Sequence, residues 1–283
     1  MSDVLPMADA ELTRRVSLYA GVALTPLLLR FADSANWLWR SEELSPKLYK
    51  LARTHADDDP FWHGMRELFG VDRWRHAHEL PALAGSLPQH LPLAPLPLTW
   101  LGRLQGAPLW SLPWRQASVA RMDAAFAGQL GRQLRRLHHD SLPGWGHPAS
   151  GVYALDAWPR AARAFVASRG ALDAVALASL AWPLPSRAVW SLPDLRPDQF
   201  LLGGLDDYWA DWEALVWAPL EFDLCLLELM LENAAQREAF VEAYGAEHLP
   251  SLDLHRAGMR AVILALGVLG PRSTPLREYP YWL

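Results

Sequence analysis

The sequence predicts an α+β protein in two lobes, a small antiparallel sheet first and a larger helical part after it. Three observations carry this. Short apolar runs broken by polar turns occupy residues 26–52. Apolar residues recur at three- and four-residue steps from residue 118 onward. Between the later helices, residues 194–213 read as a short strand, a turn and a second strand, with an acid near each end. Strands followed by helices imply segregated layers, and two lobes leave a cleft between them.

The elements follow in chain order. Leu27 to Phe31, Trp37 to Arg40 and Lys47 to Leu51 form a candidate meander, with Asp33-Ser34-Ala35-Asn36 as the first turn. Asp57-Asp58-Asp59-Pro60 marks a helix start, because a carboxylate caps free N–H groups and proline is tolerated at the first helical position. That helix runs from about Phe61 to Phe69, with Phe61, Met65, Leu68 and Phe69 on one face. A proline-rich stretch follows, and Leu96 to Leu104 reads as the last strand of the first lobe. Ser118 to His139 is the clearest helix, its stripe built from Val119, Met122, Phe126, Leu130, Leu134 and Leu137. Residues 156–183 are helical with a break at Gly170. Three more helices are expected over Leu220–Glu232, Ala234–Tyr244 and Leu252–Leu269. The lobes are therefore expected at residues 1–104 and 105–283.

Composition narrows the function. At 51% hydrophobic and 20% charged residues, the 283-residue chain reads as globular. A net charge of −5 argues against a nucleic-acid-binding surface. No apolar run reaches the ~18 residues of a membrane span. The first fifteen residues lack the basic and apolar pattern of a secretion signal, so a cytoplasmic location is expected. The single cysteine, Cys225, forms no zinc-ligand pattern. Fifteen tryptophans, scattered from Trp37 to Trp282, read mainly as packing residues.

The chemistry-bearing segment is Asp194-Leu195-Arg196-Pro197-Asp198-Gln199-Phe200-Leu201-Leu202, followed by Tyr208-Trp209-Ala210-Asp211-Trp212-Glu213. Phosphoryl transfer from ATP uses a carboxylate at the acceptor hydroxyl, an amide oxygen on the metal and a second carboxylate on the metal. The chain resembles the aminoglycoside phosphotransferase/choline kinase-like family, which has a protein-kinase-like fold. Asp194 to Leu201 is similar to that family's H-G-D-L-x-P-x-N-hydrophobic loop, and Asp211-Trp212-Glu213 to its D-[WF]-E. Leu137-His138 with Gly144-Trp145-Gly146, Phe222-Asp223-Leu224 and Tyr244-Gly245 fall in the family's order.

The resemblance implies ATP and Mg²⁺ as cofactors and a small-molecule hydroxyl acceptor: an amino alcohol, a sugar or an aminoglycoside-like compound. It implies roles as well. Asp194 accepts or orients the hydroxyl proton. Asp211 and Gln199 hold the metal. Lys50 neutralises the α- and β-phosphates, and Glu67 orients it, with Glu79 a weaker rival. Leu101 and Arg103, near the end of the last first-lobe strand, complete the nucleotide-binding set. His138 and Asp223 brace the loop. The acids Glu221, Glu228, Glu232, Glu238 and Glu242 are candidates for a cationic acceptor, though a solvated helical face is the commoner use. Trp209, Trp212, Trp217, Tyr279, Tyr281 and Trp282 are candidates for an aromatic cage, with packing again the commoner use.

Three places depart from the family pattern. Leu192-Pro193 replaces His-Gly, Gln199 replaces Asn, and residues 31–37 lack the glycine that allows backbone to approach phosphates. Two readings stay open: an active small-molecule phosphotransferase, and a catalytically degenerate kinase-like protein with a binding or regulatory role. Nothing in the sequence sets the oligomeric state.

Overall fold

A computed structural model describes residues 5–32, 34–53, 59–203, 207–268 and 281–283. It shows the mixed α+β architecture, a five-stranded antiparallel sheet beside a helical lobe. The sheet order is β1 (Leu24–Pro26), β2 (Asn36–Ser41), β3 (Lys47–Ala52), β6 (Ala107–Pro113), β5 (Thr99–Leu104). A helix that the apolar pattern did not announce, α1 (Ala10–Ala20), precedes the sheet. Asp9 caps it by accepting from Leu12 N–H at 2.7 Å. Thr13 on α1 takes the indole N–H of Trp39 at 3.0 Å. Val16, Leu24, Trp39, Tyr49, Leu51 and Leu109 form this lobe's small core.

The expected strand over Leu27–Phe31 is not formed. Pairing between β1 and β2 stops after Pro26, and only the Leu27 N–H still reaches Leu38 O. Leu29 N–H instead donates to Pro6 O, so the chain leaves the sheet edge. The boundary at residue 104 is also displaced. Gln105 and Gly106, both at positive φ, make the turn of the β5–β6 hairpin, and β6 pairs directly with β3. The sheet therefore continues to Pro113, and residue 104 falls inside it.

Helix α2 (Pro60–Phe69) starts as expected. Asp59 accepts from Phe61 N–H and Trp62 N–H. Asp57 and Asp58 lie outside the described residues, as does Asp33. The buried face of α2 packs on α5 (Trp158–Ser168) and α9 (Arg256–Leu266), not on the sheet alone. A methyl group at Gly64 would stand 3.1 Å from Leu266 and 3.3 Å from Phe165. Helix α3 (Leu80–Ser86) follows, then β4 (Ala94–Pro95).

In the helical lobe α4 (Ala124–Leu137) is shorter than its apolar stripe. Residues Ser118–Val119 form β7, and Asp123 caps the helix at Phe126 N–H. The predicted break at Gly170 separates α5 from α6 (Ala174–Ser179). Strand β8 (Ala188–Ser191) leads into the loop that carries Asp194. Strands β9 (Phe200–Leu202) and β10 (Tyr208–Trp209) form a sheet with β4 and β7, and β11 (Val216–Pro219) pairs with β8. Helices α7 (Leu220–Met230) and α8 (Ala234–Tyr244) complete the lobe. Eight of the tryptophans, including Trp110, Trp158 and Trp209, are buried, which is the packing use expected of them. Among the described residues no helix is long and apolar enough to cross a membrane.

Helix α4 meets α8 at closest approach through glycine. A Cβ at Gly131 would sit 2.7 Å from Phe240 O and 3.0 Å from Ala243 Cβ, whereas one at Gly128 would meet nothing nearer than 3.6 Å. Gly131→Ala is expected to lower stability by about 1–3 kcal/mol through overpacking. Gly128→Ala is expected to leave it unchanged or raise it by up to about 1 kcal/mol through helix propensity. Urea denaturation midpoints of the two variants check this pair.

Candidate active site

Lys50 is in the middle of β3, opposite Leu38 and Trp110, and only 6% of it is exposed. An ammonium buried among apolar neighbours requires anions. Its Nζ lies 3.0 Å from Glu213 Oε1 and 3.2 Å from Asp211 Oδ1. Glu213 is shared. Its Oε2 accepts from Arg73 Nη2 at 2.8 Å, and its Oε1 accepts from Asn36 Nδ2 at 3.0 Å. Arg73 also donates to Asn36 Oδ1 and Ala35 O, and its guanidinium lies over the Trp62 ring. Two buried cations thus face one buried and one half-exposed carboxylate.

The charges set the titration of the cluster. Burial alone would raise Glu213, but Lys50 and Arg73 hold it down at about 2. Burial would lower Lys50; Asp211 and Glu213 reverse this and raise it, so it stays charged. Partial loss of hydration and the Glu213 charge raise Asp211, against the pull of Lys50.

Asp194 lies in the loop after β8. Its Oδ2 accepts from Gln199 Nε2 at 2.7 Å, and its Oδ1 is 3.2 Å from Arg196 Nε. Burial pushes it up to about 7, with Arg196 opposing and the Asp211 charge adding to the rise. Strand pairing brings the two acids together. Phe200 on β9 is opposite Trp209 on β10, and Ala210 N–H donates to Gln199 O, so the residues before β9 and after β10 share one end of the sheet. Two indoles fix the second acid's backbone: Trp209 donates to Asp211 O at 2.9 Å and Trp212 to Leu96 O at 3.3 Å.

The loop is braced from below as expected of His138 and Asp223. His138 Nε2 lies 3.0 Å from Asp223 Oδ2, and its Nδ1 3.0 Å from Tyr244 OH. Ser191 Oγ donates to the other oxygen of Asp223. This anchor holds the end of β8 directly, next to Leu192-Pro193.

The structure therefore gathers Lys50, Asp194, Gln199 and Asp211 but not the other expected residues. Glu67 is a correction. It lies on the face of α2 that meets α5, where Ser168 Oγ donates to it, and Glu213 takes its expected place beside Lys50. Glu79 precedes α3 and pairs with His78. Leu101 and Arg103 are also corrected. They lie on β5, the edge strand, where Leu101 packs in the small core and Arg103 donates to Trp74 O and Gly106 O. β3 lies between β2 and β6, and β6 is the last strand of this sheet in the chain, so the crossover to the helical lobe follows Pro113. Glu221 and Glu228 are buried in internal bonds, to Ser186 N–H and to Arg256 and Arg260, and so do not face a ligand. Tyr281 stacks on those two arginines and Trp282 donates to Glu228, so neither forms a cage; Tyr279 is outside the described residues. Sequence reasoning missed Arg73, for which the pattern holds no signal, and left Glu213 without a role although it stands two residues from Asp211.

The donor set suits a hard cation. Asp211 is 41% exposed, and Gln199 Oε1 is buried without a hydrogen-bond partner among the described residues. Magnesium takes one or two protein carboxylates and completes its octahedron with phosphate and water oxygens.

No family model and no curated protein matches the chain. Solved structures do match. The macrolide 2'-phosphotransferase MphH from Brachybacterium faecium, as apoenzyme, superposes at a TM-score of 0.56 with 15% identity, over 94% of this chain and 99% of the other. The fold is that of the kinase-like phosphotransferases. A spectinomycin phosphotransferase in complex with ADP and spectinomycin shares it at a TM-score of 0.51 and 16% identity, over 93% and 87% of the two chains. The aminoglycoside phosphotransferase APH(4)-Ia does so at 0.55 and 11%, over 92% and 90%. Identities this low carry the fold of the phosphotransferases, while the residues of the site have to speak for its chemistry.

Removing Glu213 leaves two buried cations without their anion. Glu213→Ala is expected to cost about 3–5 kcal/mol, and Glu67→Ala under about 1 kcal/mol, as for a surface hydrogen bond. The Glu213 contribution has a defined pH window. Its folded value is depressed from 4.5 to about 2, so the stability is present above 4.5 and is lost as pH falls through 2. Acid unfolding of the wild type and of Glu213→Gln, followed by circular dichroism, should show this window in the wild type alone.

Proposed function

We propose that this protein is an ATP- and Mg²⁺-dependent phosphotransferase that acts on the hydroxyl of a small molecule. The observation that carries the reading is that Asp211 pairs with a buried Lys50 that is held charged, while strand pairing brings Asp194 to the same end of the sheet, where the two acids feel each other's charge. Lys50, oriented by Glu213, presents an ammonium to nucleotide phosphates. Asp211 and Gln199 Oε1 would hold magnesium, which when bound would neutralise phosphate charge. Asp194 takes the acceptor hydroxyl's proton, and a value near 7 suits a group that must be ionised to accept and acidic enough to release. Phosphoryl transfer asks mainly for positioning and charge neutralisation. The solved relatives act on macrolides, spectinomycin and aminoglycosides by their names. Small hydroxylated acceptors are the class proposed for this chain.

One observation favours a second reading, nucleotide binding without transfer. Both oxygens of Asp194 already have neighbours, Gln199 Nε2 at 2.7 Å from Oδ2 and Arg196 Nε at 3.2 Å from Oδ1, so a substrate hydroxyl would have to displace one of them. Binding and turnover must therefore be measured separately.

In a thermal-shift titration, millimolar Mg-ATP is expected to raise the Tm of the wild type saturably, and not that of Lys50→Ala or Asp211→Ala. No shift in the wild type contradicts the nucleotide site. Product formation with an alcohol, amino-alcohol and sugar panel then separates the two readings. For an active enzyme kcat/KM should rise with pH through about 7 as Asp194 ionises. Stability should move the other way. A carboxyl raised above its unfolded value of 3.8 binds its proton more tightly when folded, so this group's contribution falls as pH rises from 3.8 towards 7. Asp194→Asn should flatten that fall, measured as Tm against pH.

A further inference from the structure

The loop joining β1 to β2 has no glycine among residues 31–37, so it lacks the usual means of laying backbone amides against phosphates. It crosses instead to the catalytic loop. Arg30 Nη1 lies 3.7 Å from Asp198 Oδ2, and Arg196 Nε lies 3.6 Å from Asp198 Oδ1. Both guanidinium groups sit over the ring of Phe31, at 5.4 and 5.6 Å. Two arginines from different lobes thus converge on one carboxylate, next to Asp194.

The fit to that carboxylate is loose. Both contacts exceed hydrogen-bond distance, and Arg196 Nε, although 3.2 Å from Asp194 Oδ1, is buried with no acceptor in line among the described residues. The arginine side chains are 56% and 43% exposed, so they have room to turn. Arginine engages phosphate through paired N–H bonds, which a tetrahedral oxyanion satisfies better than a carboxylate at 3.6–3.7 Å. The loop is also fixed on the nucleotide side. Arg53 donates to Ala32 O and Ser34 O, and Asn36, at the loop's end, bonds Glu213 beside Lys50.

We propose that Arg30 and Arg196 form a clamp for the terminal phosphate of the nucleotide, which Asp198 occupies until the phosphate displaces it. The clamp replaces a glycine-rich cradle by side chains. It rests on the phosphotransferase reading, and it makes the site select a triphosphate over a diphosphate.

The test is calorimetric titration of the full chain with Mg-ATP and Mg-ADP, for the wild type, Arg30→Ala, Arg196→Ala, Arg196→Lys, Asp198→Asn and Lys50→Ala. Each alanine variant is expected to bind Mg-ATP about tenfold more weakly, the loss of one charge-assisted hydrogen bond. Mg-ADP should change by less than about threefold, since the contact is to the terminal phosphate. Asp198→Asn should tighten Mg-ATP, because a competing anion is gone. Arg30 is a surface residue, so its variant keeps the test open if Arg196→Ala unfolds, and Arg196→Lys should retain part of the affinity. Unchanged Mg-ATP affinity in the arginine variants, with Lys50→Ala still weakened, overturns the clamp and leaves the phosphotransferase reading standing. Equal losses for ATP and ADP, or weaker binding by Asp198→Asn, also overturn it. A wild type that binds no nucleotide overturns both.

Discussion

One buried carboxylate, Glu213, holds the site together. Four segments distant in sequence meet on its two oxygens or beside them: Lys50 from the sheet, Asn36 from the start of β2, Arg73 from the turn after α2, and Glu213 itself between β10 and β11. Buried charges lose several kcal/mol of hydration each, so such a cluster persists only when every member has a partner. Here each does, which makes the cluster specific rather than simply stabilising. Sliding either lobe would strand a charge. The register between sheet and helical lobe is therefore set where Lys50 must face Asp211.

The same surroundings separate the carboxylates by role. Glu213 sits against two cations and is held at about 2, so it is a permanent anion. Asp194, partly buried beside a less well aligned cation, is pushed to about 7, close to neutrality. Asp223, beneath them, spends both oxygens on His138 and Ser191 and serves as an anchor. Divergent environments around chemically similar acids separate a fixed anion and an anchor from one acid that titrates near neutrality, the group proposed to take the acceptor's proton.

Much of this was legible in the sequence. Asp194, Gln199 and Asp211 are close along the chain, and strand pairing of β9 with β10 preserves that closeness in space. Lys50 was assigned only through the resemblance, which expects a phosphate-neutralising lysine on a strand ahead of the first helix and the two acidic segments. Glu67 was misread for a definite reason. Helical periodicity shows that α2 has a buried face but not which neighbour buries it, and the neighbours are α5 and α9. Leu101 and Arg103 were misread because Leu96–Leu104 looks like a terminal strand until Gln105-Gly106 is recognised as a hairpin turn. Arg73 left no trace, since a buried arginine and a solvated one are the same letter. The start of α4 was hidden by Val119 and Met122, which extend its apolar stripe although Asp123 marks the cap.

On the proposed reading, Glu213 orients Lys50 towards a metal–nucleotide site bounded by Asp194 and Asp211. A crystal structure with magnesium and a non-hydrolysable ATP analogue tests it most directly. Lys50 is expected between Glu213 and the phosphates, with the metal on Asp211 and Gln199. Nucleotide bound elsewhere, or Lys50 turned from Glu213 to Glu67, would contradict it.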